Sequence, residues 1–157
     1  GIDIASEIRI EISYSNLIFF KKDILNIDSQ EDIEIKLDQE IQIDKKRSIS
    51  SAVIAKKDFS FVDNSCRSAF DFNKLNFPLK IRRRKPGDKF IPLGMEGHKK
   101  VKDILIDEKV PKYLREEVPL VVDAEDNIIW LAPYRISDDY KITKETDKIL
   151  ILRLKYN

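Results

Sequence analysis

Hydrophobic and polar positions alternate in several separate runs of this chain, which is the pattern of β-strands with one buried face. Alternation in residues 8–12 and 17–19, on either side of a polar turn at 14–16, predicts a β-hairpin near the start. The same period of two returns in residues 33–43 and again in residues 50–57. The first half of the chain is therefore predicted to be an antiparallel β unit.

The second half of the chain carries further strand signals. Residues 79–83 alternate, and two apolar runs at 119–123 and 128–131 flank a turn at 124–127, which predicts a second hairpin. Strict alternation in residues 148–155 predicts a last strand. Trp130, the one tryptophan, is expected to be a core residue, because tryptophan side chains are mostly buried.

A helical pattern interrupts these strands at residues 99–109, where Val101, Ile104 and Leu105 recur at i, i+3 and i+4. Its start carries Lys99 and Lys100, although the positive end of a helix dipole normally attracts acidic residues. This mismatch favours a bound anion, and a phosphate site is predicted there. A shorter helix is predicted from Pro111, a residue suited to a first helical turn.

Together these elements predict an α+β fold that is predominantly β. We expect an antiparallel β unit in residues 1–77, which connects to a small, barrel-like β domain with one or two inserted helices in residues 78–157. No repeat or long linker divides the chain, so this boundary rests on a change in charge.

The charge of the chain is strongly segregated. Residues 80–115 contain twelve Lys or Arg against five Asp or Glu, whereas the rest of the chain contains seventeen against twenty-three. A formal net charge of +1 thus hides a segment of about +7, and such a segment in a near-neutral protein is typical of a polyanion-binding site. Three of the four glycines also lie in this segment, where they allow tight turns.

Several classes of protein are disfavoured by composition. No apolar run is long enough to cross a bilayer, and the first ten residues lack the regions of a signal peptide, so a cytoplasmic location and no membrane partner are expected. The lone cysteine, Cys66, suits a reducing compartment. We find no nucleophile–base pair and no cluster of metal-ligand spacing, so neither catalytic nor metal-binding residues are predicted.

The basic segment contains a specific motif: arginines, then Gly-Asp-Lys-Phe, then a proline and spaced glycines, then two lysines, a helix and Lys-Val-Pro. These residues are Arg82, Arg84, Gly87, Asp88, Lys89, Phe90, Pro92, Gly94, Gly97, Lys99, Lys100, Lys109, Val110 and Pro111. In this pattern the chain resembles the C-terminal domain of bacterial tRNA(Ile)-lysidine synthase. The resemblance covers about the second half of the chain, and residues 1–77 correspond to the family's less distinctive connecting region.

The resemblance implies a role in tRNA modification. Enzymes of this family are ligases that use ATP to activate the wobble cytidine of a minor isoleucine tRNA and then join lysine to it. Their ATP-binding domain is N-terminal and carries a Ser-Gly-Gly-x-Asp-Ser loop, which this sequence lacks. The chain is therefore expected to bind neither ATP nor any other cofactor itself. Its implied partners are tRNA, through the acceptor stem, and the N-terminal domain of the same polypeptide.

The resemblance also implies a small β-barrel with inserted helices, similar to a domain of the phenylalanyl-tRNA synthetase β subunit. Nine basic residues are predicted to contact RNA phosphates and sugars, because duplex RNA is read mainly by its shape and backbone. Met95 and Tyr113 are candidates for contacts to bases at the stem end. The nine predicted RNA-binding residues are Arg82, Arg84, Lys85, Lys89, Lys99, Lys100, Lys102, Lys112 and Arg115.

One alternative stays open at this point. The chain is also compatible with a protein-interaction or homodimerisation module, in which acidic strands of the first half form an interface and the basic segment docks onto an acidic partner. A salt titration of tRNA binding separates the two hypotheses, because phosphate contacts weaken steeply with added salt.

Overall fold

A computed structural model describes residues 2–5, 8–13, 16–21, 31–61 and 66–157. In these ranges the chain is mostly β, with antiparallel sheets, one α-helix and short 3₁₀ segments, which confirms the predicted fold class. Within the same ranges no helix has the length and apolar character needed to cross a membrane.

The first three strands form a sheet of their own in the order β1-β2-β3. They are β1 (Ile2–Ala5), β2 (Ile8–Ser13) and β3 (Asn16–Lys21). β2 and β3 pair antiparallel from Ile8 opposite Lys21 to Ser13 opposite Asn16, so the predicted hairpin is confirmed. Residues 14 and 15 of its predicted turn lie outside the described residues.

The remaining elements follow in chain order. The strands are β4 (Ile33–Ile35), β5 (Glu40–Gln42), β6 (Arg47–Ala55), β7 (Arg67–Asp71), β8 (Leu79–Arg82), β9 (Lys89–Phe90), β10 (Lys99–Lys100), β11 (Leu120–Val122), β12 (Ile128–Leu131), β13 (Arg135–Ile136) and β14 (Lys148–Tyr156). Helix α1 (Val101–Asp107) follows β10 directly. The 3₁₀ segments are Lys56–Asp58, Phe72–Lys74, Lys112–Glu117 and Asp138–Tyr140.

Two antiparallel sheets contain most of these strands. A five-stranded sheet has the order β13-β12-β11-β8-β4, and a four-stranded sheet has the order β5-β6-β14-β7. β4 pairs with β8, and β6 pairs with β14 over nine residues, from Ala55 opposite Lys148 to Arg47 opposite Tyr156. Strands from both sides of the predicted boundary at residue 77 thus share sheets, so residues 31–77 are not a unit separate from residues 78–157.

A single hydrophobic core joins the two sheets. Phe70 and Leu150 of the four-stranded sheet pack in one cluster with Ile81, Val121 and Trp130 of the five-stranded sheet. The rings of Phe70 and Trp130 are tilted, with centroids 6.2 Å apart. Trp130 is fully buried, as expected for a core residue.

The other face of the five-stranded sheet holds α1. Leu120 and Val122 point away from the first core and pack with Val101, Ile104 and Leu105 of the helix. This arrangement follows from the period of two along β11 and from the i, i+3, i+4 spacing along α1. The second core fixes α1, and with it the basic segment, against the rigid sheet.

One of the two helix predictions needs a correction. α1 begins at Val101 instead of residue 99, because Lys99 and Lys100 pair with Phe90 and Lys89 as a two-stranded ladder. The short helix predicted from Pro111 is present as the 3₁₀ helix Lys112–Glu117. The hairpin of β11 and β12 and the last strand, β14, lie where the sequence predicted them.

Candidate nucleic-acid interface

An ion-paired arginine organises the turn that begins the basic segment. The side chain of Arg82 at the end of β8 is only 2% exposed, and its Nη1 and Nη2 donate to the two carboxylate oxygens of Asp88 at 2.8 and 2.9 Å. Its Nε donates to Oδ1 of Asp126 in the β11–β12 turn at 2.7 Å. We call these three residues the Arg82 cluster. It joins three separate stretches of the chain at one point.

Asp88 also stabilises the turn through a hydrogen bond to the backbone. Its Oδ2 accepts a hydrogen bond from the amide of Lys85 at 2.7 Å. Gly87, between these two residues, has a φ of +86°, a backbone conformation that residues other than glycine rarely adopt. Burial alone would raise the pKa of Asp88, but the hydrogen bonds from Arg82 and from the Lys85 amide outweigh it and hold that pKa below its usual value. The turn therefore favours the ionised form of this carboxylate.

Arg82 differs from its predicted role as a phosphate contact. The sequence predicted an RNA contact here, but the structure buries the side chain, and its guanidinium donates to carboxylates and to the carbonyl of Arg83, at 2.9 Å. Its Nη2 also lies 3.4 Å from Oδ2 of Asp126. A guanidinium with these partners has no donor left to offer to a ligand. We therefore assign Arg82 to the fold and leave it out of the proposed interface.

A groove of about 720 Å³ lies beside this turn. Its walls come from three segments: the turn at 83–88, the end of β10 with the start of α1 at 100–102, and the 3₁₀ segment at 112–117. Seven of its lining residues are basic and three are acidic, so the groove is cationic. The basic lining residues are Arg83, Arg84, Lys85, Lys100, Lys102, Lys112 and Arg115. Six of the nine predicted RNA-binding residues thus converge.

The cations of the groove differ in what they already contact. Lys100, Lys102 and Lys112 are exposed and form no ion pair with any residue in 31–61 or 66–157. Arg84 pairs with Glu116, and Lys85 lies 3.6 Å from Asp126 with its side chain 59% exposed. We call Lys100, Lys102 and Lys112 the groove rim, because these three side chains remain available to an anion.

Arg84 and Arg115 are held in place more firmly than the lysines. The Nε of Arg115 donates to the carbonyl of Val110 at 2.9 Å, which fixes its side chain against the end of the α1 region. The Nε of Arg84 is buried and has no hydrogen-bond partner within the described part of the chain. Burying an unpaired donor is unfavourable, which sets Arg84 apart from the exposed lysines of the rim.

Lys89 lies next to the rim although it does not line the groove. It is directly opposite Lys100 in the β9–β10 ladder, so the two side chains share one face of that ladder. Like charges in directly opposite positions destabilise a strand pair. By contrast, Lys80 of β8 lies opposite Glu34 of β4. The unbalanced lysine pair adds positive charge at the edge of the groove.

The phosphate site predicted at the helix start is not formed as expected. Lys99 pairs with Asp107 at the far end of α1. The first helical amide, that of Val101, donates to the carbonyl of Asp88 at 2.9 Å and is not available to a ligand. Lys100 remains exposed, but its place is in the groove wall instead of at an open helix end.

Sequence reasoning missed three lining residues of the groove: Arg83 as a wall residue, and the acidic Glu116 and Glu117. Glu117 is half-buried, and its burial raises the pKa of its carboxyl. The run of Glu116 and Glu117 directly after Arg115 was the available signal, since carboxylates close in sequence to cations often neutralise part of a basic patch. Among residues 31–61 and 66–157 no cluster of potential metal ligands occurs.

Comparisons with known proteins agree with the motif. Residues 79–154 match the family model described as TilS substrate C-terminal domain. The tRNA(Ile)-lysidine synthase of Clostridium tetani is 46% identical over 86 residues, which cover 55% of this chain and 18% of that enzyme. The tRNA(Ile)-lysidine synthase of Caldanaerobacter subterraneus subsp. tengcongensis is 32% identical over 158 residues, which cover 96% of this chain and 32% of that enzyme. The chain thus spans about a fifth to a third of these relatives.

Solved structures support the fold. A crystal structure of a TilS C-terminal domain superposes with a TM-score of 0.71 at 22% identity, covering 80% of this chain and 96% of that chain. An N-terminal fragment of the phenylalanyl-tRNA synthetase β subunit from Pyrococcus horikoshii superposes with a TM-score of 0.50 at 18% identity, covering 95% and 58% respectively. The likeness to a domain of that subunit, expected from the motif, is confirmed for the fold.

Proposed function

We propose, from the membership of residues 79–154 in the family of C-terminal domains of tRNA(Ile)-lysidine synthase, that this chain binds tRNA through the cationic groove. The groove holds the acceptor stem so that an N-terminal domain, absent from this chain, can use ATP to join lysine to the wobble cytidine. The chain itself performs no chemistry in this proposal. Its relatives bear the name of a tRNA-modifying enzyme, which supports tRNA as the ligand.

One observation carries this proposal. Basic side chains from three segments separated in sequence meet in one groove, and the three lysines of the groove rim are left without carboxylate partners in the described part of the chain. Phosphate contacts supply most of the affinity of proteins for nucleic acids. A rim of unpaired lysines on rigid elements is suited to a folded RNA backbone, which is recognised by shape.

The proposal is tested by titrating the 157-residue chain with fluorescently labelled tRNA(Ile) at several salt concentrations. We expect a log–log slope of affinity against salt of about −3 to −5, as for four to six phosphate contacts. The double variant Lys100→Glu, Lys112→Glu should lose at least about tenfold in affinity and lower the magnitude of the slope by about 2. Its melting temperature should stay the same or rise, because both side chains are exposed and Lys100→Glu removes the like-charge pair with Lys89.

The matched control reverses two other exposed lysines, Lys57→Glu with Lys144→Glu, which lie outside the groove. It changes the net charge by the same amount and should retain most of the affinity. If both double variants lose affinity equally, the groove is not the binding site. If the chain is dimeric and binds no tRNA at low salt, it is an interaction module, and the proposal is wrong.

Recognition of the acceptor stem has a separate test. Two unlabelled RNA hairpins, one with the acceptor-stem sequence and one with the anticodon-arm sequence, compete with labelled tRNA for the chain. We expect the acceptor-stem hairpin to compete more strongly, because the groove is proposed to hold that duplex. If the two hairpins compete equally, the groove binds RNA but is not specific for the acceptor stem.

A further inference from the structure

A second cationic surface lies on the outer face of the four-stranded sheet. Leu152 and Leu154 of β14 point into the core, so Arg153 between them points outward and is exposed. Arg67 of β7 is its direct cross-strand partner, and on the other side Arg153 faces Ser50 of β6. Residues directly opposite each other in a sheet share a face. The two arginines therefore stand side by side on the open surface.

This arginine pair is not neutralised within the described residues. Arg153 forms no ion pair in residues 31–61 and 66–157, whereas its neighbour Lys155 is paired with Glu40 at 2.7 Å. Arg67 donates to the carbonyl of Ser60 at 3.5 Å and lies over the ring of Phe59. Two like charges directly opposite each other are unfavourable unless an anion accompanies them.

The surface beside the arginines contains several small residues. Ile151 lies between Ala52 of β6 and Ala69 of β7 in register, and a shallow depression of about 390 Å³ opens there. Small side chains let a ligand approach the sheet closely. The depression reaches Arg153 and Arg67 and gives an anionic ligand room beside both guanidinium groups.

Aromatic rings continue this surface past Arg67. The guanidinium of Arg67 is 5.6 Å from the centre of the Phe59 ring, and Phe59 meets Phe61 edge to face with centroids 5.0 Å apart. Phe61 is 90% exposed, which is unusual for a phenylalanine. Arg67, Phe59 and Phe61 also line a depression of about 280 Å³. An exposed ring next to cations is the arrangement that binds unpaired nucleotides by stacking.

We propose that this surface, from Arg153 across Arg67 to Phe59 and Phe61, binds a single-stranded segment of RNA. The two arginines contact phosphates, and a base stacks on the exposed ring of Phe61. Arginines that have no carboxylate partner within the described residues, next to an exposed ring, favour this ligand over a peptide of acidic residues alone, which supplies charge but no planar ring. The site is separate from the groove and does not depend on it.

The test uses the 157-residue chain and a labelled single-stranded oligoribonucleotide of about 12 nucleotides, a length within the usual site sizes of single-strand binders. Arg153→Glu should weaken binding at least about tenfold at low salt. Phe61→Ala should weaken it by about 5- to 100-fold through loss of stacking, while Phe61→Tyr, which keeps a ring, should bind as the wild type does. Lys144→Glu is the control for charge and should bind normally.

Two further measurements separate binding from folding and from the groove. Arg153→Glu places a carboxylate opposite Arg67 and should keep or raise the melting temperature, so a loss of RNA binding with it cannot be a loss of fold. At 0.15 M salt, charges more than about 8 Å apart are largely screened, so Lys100→Glu with Lys112→Glu should bind the oligonucleotide like the wild type. It should still lose affinity for duplex RNA.

The outcomes are decisive in either direction. If the wild type does not bind the oligonucleotide at low salt, or if Arg153→Glu and Phe61→Ala bind it as Lys144→Glu does, the proposal is wrong. If polyglutamate binds in place of the oligonucleotide and Arg153→Glu abolishes that binding, the surface serves an acidic protein partner. If Lys100→Glu with Lys112→Glu keeps the affinity of the wild type for tRNA, the proposed function is wrong. The single-strand site would still stand if Arg153→Glu and Phe61→Ala lose affinity for the oligonucleotide.

Discussion

Arg82 and the three lysines of the groove rim belong to the same basic segment, yet they differ in burial and in ion pairing. Arg82 is buried and bound to Asp88 and Asp126, whereas Lys100, Lys102 and Lys112 are exposed and unpaired within the described residues. The first set fixes the turn at 83–88 and therefore the position of the groove wall. The second set is free to meet an anion. Positive charge in a sequence thus does not identify a binding residue until its partners are known.

The largest change in stability is expected when the buried cation of the Arg82 cluster is removed. Arg82→Ala leaves the carboxylate of Asp88 largely buried without its partner, and truncation of one member of a buried ion pair is strongly destabilising. We expect the free energy of unfolding to fall by about 3 kcal/mol, at the lower end of the usual range because the Asp126 side chain is 53% exposed. Chemical denaturation followed by circular dichroism measures this change.

Lys102→Ala is the matched control, since it removes an exposed cation of the same basic segment. Its free energy of unfolding should change by less than about 0.5 kcal/mol. If both variants are equally stable, the Arg82 cluster does not support the turn, and the distinction between cluster and rim fails.

Acid should weaken the cluster without affecting the rim. The pKa of Asp88 is lower in the folded protein than its usual value of 3.8, so the unfolded chain takes up a proton first. The stabilisation from Asp88 is therefore complete above about pH 4 to 5 and is lost as the pH falls through 3.8 toward the lower, folded pKa. Asp88→Asn should be less stable than the wild type by about 2 kcal/mol at pH 7, and this difference should shrink at pH 3.

Asp103→Asn provides the comparison for this pH series, because Asp103 is exposed on α1 and has no ion pair within the described residues. The gap in the free energy of unfolding between this variant and the wild type should be small. A constant gap for Asp88→Asn from pH 7 to pH 3 would contradict the assignment of Asp88 as an ionised partner of Arg82.

The smallest effect is expected at Arg84, which has an ion pair as Arg82 does but lines the groove as the rim lysines do. Glu116→Gln removes its carboxylate partner, which is 63% exposed, so the free energy of unfolding should change by less than about 1 kcal/mol. The freed guanidinium should raise tRNA affinity about twofold to fivefold at low salt. Fluorescence anisotropy measures this change, with Glu96→Gln in the exposed 94–97 loop as the control. If the affinity for tRNA does not change, Arg84 stabilises the fold, as Arg82 does, and does not contact RNA.

Local patterns in the sequence predicted the longer elements well. The alternation of Leu150, Leu152 and Leu154 located β14, and the spacing of Val101, Ile104 and Leu105 located α1. Both signals depend on the period of the side chains along a single element. Most of the basic residues that line the groove were also predicted from a local pattern, because they belong to one dense run of positive charge in the sequence.

What the sequence did not predict depends on pairings between distant residues. The partner of Arg82, Asp126, lies 44 positions away in another turn, and no local pattern indicates that contact. β9 and β10 have two residues each, too few to show a period, so the ladder that moved the start of α1 was not detectable. The ion pair of Lys99 with Asp107 depends in turn on that ladder.

The antiparallel register of β6 with β14 has a practical consequence for fragment design. The match to the family model begins at residue 79, but an expression fragment cut there would remove both neighbours of β14, because β6 and β7 precede the cut. It would also remove β4 from the side of β8. Such a fragment would expose unpaired backbone along a nine-residue strand with one apolar face, a template for intermolecular aggregation. The stretch that a family model recognises is thus shorter than the stretch that can be excised as a soluble piece.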